Sequence, residues 1–153
     1  VGQKPGNVFG TGKNLPLIAM AHNIPYVATA SVADLHDLEA KVAKAVDIEG
    51  ARYIHIMVPC PLGWGSQPCD TIRLARLAVE SGLFPLFEAE HGEVVSSKKI
   101  RRKVPVEEYL RPQRRFSHLF KKGQEDTERL LSLQRMADAN IQRFNLLGER
   151  QSP

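Results

Sequence analysis

Hydrophobic positions in the first 92 residues alternate between short continuous runs and helix-spaced stripes. Ile24–Ser31 (IPYVATAS) and Tyr53–Val58 (YIHIMV) are compact apolar runs rich in strand formers, which is typical of buried strands. Between them, Asp34–Asp47 carries apolar residues at spacings of three and four and begins with a good capping residue, which predicts a helix. The stripe predicted to face a core consists of Leu35, Leu38, Val42, Ala45 and Val46.

The same alternation continues to residue 92. Asp70–Ser81 predicts a second helix that ends before Gly82, and Phe84–Ala89 (FPLFEA) predicts a third strand. The order strand, helix, strand, helix, strand is typical of a parallel sheet with right-handed crossovers. We therefore predict an α/β fold with a parallel sheet, preceded by a loop over residues 1–14 and a short helix over Leu15–His22.

Beyond residue 92 the composition becomes basic. The whole chain has a net charge of +4, whereas Ser96–Lys122 holds ten Lys and Arg against two Glu, a net +8. The other 126 residues hold eleven Lys and Arg against fifteen Asp and Glu, a net −4. Gln124–Leu147 then carries an amphipathic stripe typical of a long helix. We predict residues 1–92 as an α/β domain and residues 93–153 as a basic extended arm and a long C-terminal helix.

The basic segment is compatible with three functions: binding nucleic-acid phosphates, docking an acidic protein, or wrapping a neighbouring subunit. It lacks aromatic residues before Tyr109 and Phe116, and no nucleic-acid-binding module surrounds it, which disfavours nucleic acid. No apolar run approaches the roughly 20 residues that span a bilayer, and the first ten residues lack the pattern of a signal peptide. Two cysteines are too few for a disulfide framework. We therefore expect a cytoplasmic protein without membrane or nucleic-acid partners.

The loop Pro59–Gly65 is the most unusual feature. Because it follows the second predicted strand, it lies where open parallel sheets bind ligands. Cys60 stands between two prolines that stiffen the backbone, so the loop suits a metal or cluster ligand, a nucleophile, or a buried cysteine in a tight turn. Cys69 follows nine positions later, which matches no common zinc or ferredoxin spacing. Two sulfurs cannot complete a four-thiolate cluster, so any cluster needs ligands from elsewhere.

No self-sufficient active site can be found in the chain. The sequence contains no phosphate-binding loop, catalytic triad or pair of carboxylates at a useful spacing. Among the histidines, only His91 stands at the carboxyl end of a predicted strand. Two hypotheses remain from the residues alone: a subunit whose chemistry is completed by other chains, and a non-catalytic α/β interaction module with a basic docking arm.

Five strings carry a resemblance to a known family. They are, in chain order, Ile24–Ser31, Tyr53–Trp64 (YIHIMVPCPLGW), Gly82–Glu88 (GLFPLFE), Lys103–Leu110 (KVPVEEYL) and Gln113–Phe116 (QRRF). Together they closely resemble the C-terminal half of the beta subunit of pyruvate:ferredoxin oxidoreductase and its 2-oxoacid relatives. The resemblance runs from about residue 12 to residue 116, and Pro-Cys-Pro-x-Gly-Trp is its most specific part.

The resemblance implies an enzyme subunit. That family decarboxylates a 2-oxoacid on thiamine diphosphate and passes electrons through [4Fe–4S] clusters to ferredoxin; pyruvate and coenzyme A give acetyl-CoA and CO2. It implies that Cys60 is the fourth ligand of the cluster nearest the thiamine diphosphate and that Trp64 shields that cluster. The other three cysteines and the motif for Mg²⁺ and diphosphate belong to the N-terminal half of such a subunit and are absent from this sequence.

It follows from the resemblance that residues 1–92 form the parallel-sheet half of a thiamine diphosphate-binding fold. Other subunits of the oxidoreductase, including the N-terminal half of the beta subunit, are the expected partners, together with ferredoxin, coenzyme A and the 2-oxoacid. The resemblance assigns no catalytic residue to this chain and implies that the chain is inactive alone.

Overall fold

The computed structural model describes residues 13–121 and 123–147, so the loop predicted over residues 1–14 lies almost wholly outside the described residues. None of the described helices is both long and apolar enough to span a bilayer. Two 3₁₀ turns, over Pro68–Asp70 and Arg114–Leu119, accompany the helices and strands. The elements in chain order are α1 (Leu15–Ala21), β1 (Tyr26–Ser31), α2 (Leu35–Asp47), β2 (Arg52–Met57), α3 (Pro61–Trp64), α4 (Thr71–Glu80), β3 (Phe87–Glu90), β4 (Glu93–Ser97), α5 (Val106–Leu110), β5 (Phe120–Lys121), β6 (Gln124–Glu125) and α6 (Thr127–Arg143).

The prediction of an α/β fold is confirmed, and so are the first two strands and the helices α1, α2 and α4. Capping explains where the two longer helices start. The Asp34 side chain accepts a hydrogen bond from the Asp37 amide at 3.1 Å at the start of α2. The Asp126 side chain accepts one from the Arg129 amide at 3.1 Å at the start of α6. The helix predicted over Gln124–Leu147 is therefore shorter at both ends: Gln124 and Glu125 form β6 instead, and α6 ends at Arg143.

The four-stranded sheet is mixed, in the order β2-β1-β3-β4, so the prediction of a wholly parallel sheet is wrong. β1 and β2 are parallel, but β3 runs antiparallel to β1 and β4 antiparallel to β3. A buried hydroxyl in β1 holds the start of β3: Thr29 Oγ1 donates to the Pro85 carbonyl at 2.7 Å and accepts from the Phe87 amide at 2.9 Å. These bonds start β3 beside the middle of β1, and a two-residue turn at His91-Gly92, with φ of 49° and 86°, returns the chain as β4.

All six residues of β1 are buried, and both faces of the sheet are covered at this strand. On one face, Tyr26 and Ala28 pack with Ala45 of α2. On the other face, Val27 belongs to a cluster that includes residues of β3 and α6. A further cluster lies beside the sheet, where α4, α5 and α6 meet. Its buried members are Leu74, Leu77, Ala78, Val104, Val106, Tyr109, Leu110, Leu119, Leu130 and Ala137.

Only part of the stripe predicted on α2 faces the core: Ala45 is buried and Leu38 is half-buried. Leu35, Val42 and Val46 are 66%, 43% and 71% exposed. The helix instead buries Lys41, whose Nζ donates to the Thr29 carbonyl at 2.9 Å and to Asp37 at 2.7 Å. Because both acceptors lie within reach, the ammonium can be buried while the apolar side chains are left in contact with solvent.

The segment predicted as an extended basic arm folds onto the same body. Its first residues form β4, and Val104, Val106 and Tyr109 are buried against α4 and α6. The prediction of an extended conformation is therefore wrong here, because these apolar residues complete the core. The domain boundary predicted after residue 92 falls in the β3–β4 turn. The division of a longer subunit into these two parts stays a prediction.

Ion pairs hold much of the basic charge within the fold. Lys103 Nζ lies 2.7 Å from Asp138, and its proximity holds the pKa of that carboxyl below its ordinary value. Lys98 pairs with Asp34, whose pKa it lowers in the same way. Arg111 pairs with Glu107 at 3.0 Å. These charges are therefore largely neutralised within the chain, which weakens the case for a free basic arm.

Glu88 on β3 forms hydrogen bonds with β1, β4 and α2, and its charge should make the stability of the fold depend on pH. Its carboxylate accepts from Tyr26 at 2.8 Å, from Ser96 at 2.8 Å and from Lys44 at 3.0 Å. Burial alone would raise the pKa of Glu88, but these donors lower it below the ordinary value of 4.5. Since the folded pKa is depressed, the stability that the carboxylate contributes is present at neutral pH and is lost as the pH falls below about 4.5.

We expect Glu88→Gln to lower the free energy of unfolding by about 1 kcal/mol at pH 7, because charged hydrogen bonds become neutral ones. The difference from wild type should shrink towards pH 3. Urea unfolding at both pH values measures it, with Glu93→Gln in the exposed strand β4 as the control. An equal difference at pH 7 and pH 3 would show that the charge of Glu88 contributes nothing.

Gly82 allows α6 to pack closely against the end of α4. Its φ is 80°, and an added Cβ would lie 2.7 Å from Ile141 Cγ1 and 2.9 Å from the Ala137 carbonyl oxygen. We expect Gly82→Ala to destabilise the fold by about 3 kcal/mol, from backbone strain and the clash together. Gly123→Ala is the matched control, because Gly123 has a similar φ of 76° and no neighbour within 4 Å. Gly123→Ala should lower the free energy of unfolding by only about 1 kcal/mol, measured by urea unfolding. An equal loss of stability in both variants would show that the structure relieves the clash at residue 82.

Candidate functional site

The Cys60 loop, residues Pro59–Gly65, begins at the carboxyl end of β2. The sequence predicted no regular structure here, but Pro61–Trp64 form a single helical turn, α3. Proline is favoured at the first position of a helix because its missing N–H would have no intrahelical partner. Cys60 is therefore the N-cap residue of α3, and its side chain takes the role that serine or aspartate usually has.

Cys60 is exposed and has no disulfide partner. Its Sγ accepts a hydrogen bond from the Gly63 amide at 3.4 Å, and its carbonyl accepts one from the Trp64 amide at 2.9 Å. The interpretation of Cys60 as a buried structural thiol is therefore wrong. The sulfur therefore lies at the surface, where a metal ion or another molecule can reach it.

The 3₁₀ turn Arg114–Leu119 closes the other side of the loop. The Arg114 amide donates to the Gly65 carbonyl at 3.3 Å. Gly65 has a φ of 64°, and an added Cβ would lie 2.7 Å from the Arg114 Cβ, so a larger residue would force the turn away. The two segments are separated by about fifty positions in the sequence, and no sequence pattern predicted their contact.

Arg115, in the 3₁₀ turn, makes a cation–π contact with Trp64 of the Cys60 loop. The Arg115 guanidinium stacks 3.8 Å from the centre of the Trp64 ring and 4.6 Å from that of Phe116. Burial lowers the pKa of Arg115, although Tyr109 opposes this shift, and an arginine remains charged in such a setting. Sequence reasoning missed Arg115; the only signal was its place in the string Gln113–Phe116.

Large apolar side chains are exposed on and beside the loop. Leu62 is 97% exposed, Val58 is 55% exposed and Ile72, in the first turn of α4, is 47% exposed. Val58 and Leu62 therefore leave apolar surface exposed within two positions of Cys60 in the sequence. The chemistry of the loop is therefore one reachable sulfur on a stiff backbone, surrounded by surface that favours a covering partner.

The other candidate ligands do not join Cys60. Cys69 lies in the 3₁₀ turn Pro68–Asp70 and is exposed and free. His91 sits in the β3–β4 turn; because β3 is antiparallel to β1, this turn lies at the amino end of β1, away from the carboxyl ends of β1 and β2. Over residues 13–121 and 123–147, no three His, Cys, Asp or Glu side chains are grouped as metal ligands. The described residues therefore do not by themselves make up a set of ligands for a metal ion or a cluster.

Comparison with known proteins identifies relatives of the chain. No protein-family model matches it. Pyruvate synthase subunit PorB of Methanosarcina barkeri is 46% identical over 136 residues, which are 88% of this chain and 45% of that protein. PorB of Methanothermobacter marburgensis is 54% identical over 108 residues, 70% of this chain and 37% of that protein. Ketoisovalerate oxidoreductase subunit VorB of Pyrococcus abyssi is 44% identical over 106 residues, 68% of this chain and 34% of that protein.

The chain thus spans less than half the length of each of these relatives. The similarity covers most of the chain itself, and relatives with two different substrate names share it. This is the level of identity at which proteins share ancestry and fold. The chain therefore belongs, as part of a beta subunit, to the family of PorB and VorB subunits of the 2-oxoacid:ferredoxin oxidoreductases.

Proposed function

We propose that this chain is the C-terminal part of the beta subunit of a pyruvate:ferredoxin oxidoreductase. The complete enzyme would convert pyruvate and coenzyme A to acetyl-CoA and CO2, with two electrons passed to ferredoxin. The observation that carries the proposal is the 46% identity to a pyruvate synthase subunit across 88% of the chain. Pyruvate is our first choice over a branched-chain 2-oxoacid because the similarity to the PorB of M. barkeri extends over 136 residues, against 106 for the VorB of P. abyssi.

Cys60 would give its sulfur to a [4Fe–4S] cluster. Its exposure, its stiff loop and the amide bond from Gly63 support this role. When bound, thiamine diphosphate with Mg²⁺ supplies the decarboxylation chemistry, and the cluster carries electrons away. The other cluster ligands and the groups that hold thiamine diphosphate and Mg²⁺ would come from the rest of the subunit. This chain's own part is to hold the thiol at the end of β2.

The rest of the subunit would dock beside β2. Within the described residues, nothing pairs with the outer edge of this strand. On α2, Lys44 pairs with Glu88 and Glu90 on the β3 side. Residues two positions apart on a helix point in nearly opposite directions, so Val42 and Val46 face the side of β2. An open parallel edge with an apolar helix face next to it suits a further strand and helix.

We expect the full-length subunit, reconstituted anaerobically with iron and sulfide, to lose iron when Cys60 is replaced by serine. The loss should be about four irons per subunit, since an oxygen ligand holds a cluster poorly in place of a thiolate. Cys69→Ser is the matched control, because Cys69 is also exposed and free. Iron and acid-labile sulfide analysis measures the result. An unchanged iron content in Cys60→Ser would exclude Cys60 as a ligand.

The proposed docking surface can be tested separately. We expect Val46→Glu to leave the stability of this chain within about 0.5 kcal/mol of wild type, because the side chain is 71% exposed. In a co-expression experiment with the remainder of the subunit, the same variant should reduce recovery of the complex at least tenfold. Leu131→Glu on α6, where Leu131 is 51% exposed, is the control. Equal recovery of both variants would place the interface elsewhere.

A further inference from the structure

A chain of contacts runs from the core to the Cys60 loop. Gln113 is fully buried, and its Nε2 donates to the Tyr109 carbonyl. Its Oε1 accepts from Arg115 Nε at 2.9 Å, and the Tyr109 hydroxyl accepts from the same guanidinium at 3.3 Å. Tyr109 is itself only 5% exposed. The orientation of Arg115 is therefore set by two groups that cannot move without disturbing the core.

The Arg115 guanidinium in turn contacts the Cys60 loop through Trp64. Its carbon lies over Trp64, 3.8 Å from the ring centre. The Trp64 amide donates to the Cys60 carbonyl at 2.9 Å, and the Ser66 amide donates to the Pro61 carbonyl at 3.1 Å. Trp64 is thus both the stacking partner of Arg115 and part of the turn that places the Cys60 sulfur.

We propose that Arg115 is a positioning residue that clamps the Cys60 loop through Trp64. The clamp explains how a single helical turn, too short to be stable alone, keeps one geometry in a region with much exposed apolar surface. Its connection to cluster binding rests on the proposed function above, but the clamp itself does not. Lysine would not replace Arg115, because only a planar guanidinium can stack on the indole and donate in two directions at once.

Trp64 provides a direct probe, because it is the only tryptophan of the chain. In the 153-residue chain, we expect Arg115→Gln to increase acrylamide quenching of Trp64 fluorescence about twofold as the ring face is uncovered. Hydrogen exchange of the Gly63, Trp64 and Ser66 amides should become about tenfold faster as the loop opens. Arg115→Lys should resemble Arg115→Gln more than wild type.

Arg111→Gln is the matched control. Its guanidinium also lies over a ring, 4.3 Å from the centre of Phe120, and has ion-pair partners, but it does not touch the Cys60 loop. Unchanged quenching and exchange in Arg115→Gln would overturn the clamp. Equal changes in Arg111→Gln would also overturn it, and full recovery by Arg115→Lys would show that charge alone acts.

A second variant covers the case in which Arg115→Gln unfolds. Trp64→Leu removes the stacked ring but leaves the bonds of Arg115 to Gln113 and Tyr109 in place. We expect faster exchange at Gly63 and Ser66 and unchanged exchange in α5. Unchanged exchange in the loop would overturn the proposal.

The clamp and the proposed function fail in different ways. The clamp is measured in the iron-free chain, whereas cluster ligation is measured as the iron content of Cys60→Ser in the full-length subunit. If both hold, Arg115→Gln in the full-length subunit should lose iron on gel filtration faster than Arg111→Gln. If Cys60→Ser keeps its iron while Arg115→Gln opens the loop, the clamp stands and the ligand assignment falls.

Discussion

The complete burial of β1 is the constraint on which the rest of the structure depends. Six consecutive residues, Tyr26–Ser31, have no solvent-facing side, so the strand needs a partner on each edge and a layer on each face. α2 covers one face, and residues of α6 contribute to the cluster on the other. Burying a strand in this way also requires every polar group to find a partner. Thr29 and Lys41 meet that requirement by bonding to the chain around them.

The position of Cys60 follows from that arrangement. β2 pairs in parallel with β1 from Arg52 to Met57, which brings the residues after Met57 to the same end of the sheet as the carboxyl end of β1. The loop is then fixed from outside by the turn Arg114–Leu119, which contacts Gly65 and Trp64. The pairing of β2 with β1 therefore places the Cys60 loop, and the distant turn Arg114–Leu119 holds it.

On the surface of the chain, several charged side chains form ion pairs, whereas several large apolar side chains are exposed to solvent. Basic residues such as Lys98 and Lys103 are paired with carboxylates of α2 and α6. By contrast, Val46 and Leu62 are largely exposed. This exposed apolar surface agrees with the short span of the chain relative to its PorB and VorB relatives.

Local patterns were sufficient for β1, β2, α2 and α4, because each of these elements depends mainly on its own apolar spacing and caps. They also singled out Cys60, since a cysteine between two prolines after a strand is unusual in any fold. Its assignment as a ligand came from resemblance to a family, and its exposure came from the structure.

Interactions between distant residues decided the rest. β3 runs antiparallel to β1, and its start is held by the bonds of Thr29 to Pro85 and Phe87, nearly sixty positions away. Leu35, Val42 and Val46 of α2 are exposed, while Lys41 is buried through its bond to the Thr29 carbonyl. The contact of Arg115 with Trp64 joins two segments about fifty positions apart, and no pattern in the sequence predicts it. The sequence alone determined most of the longer helices and strands and singled out Cys60, whereas the tertiary structure decided strand direction, helix facing and the environment of that sulfur, because these depend on partners that only folding brings together.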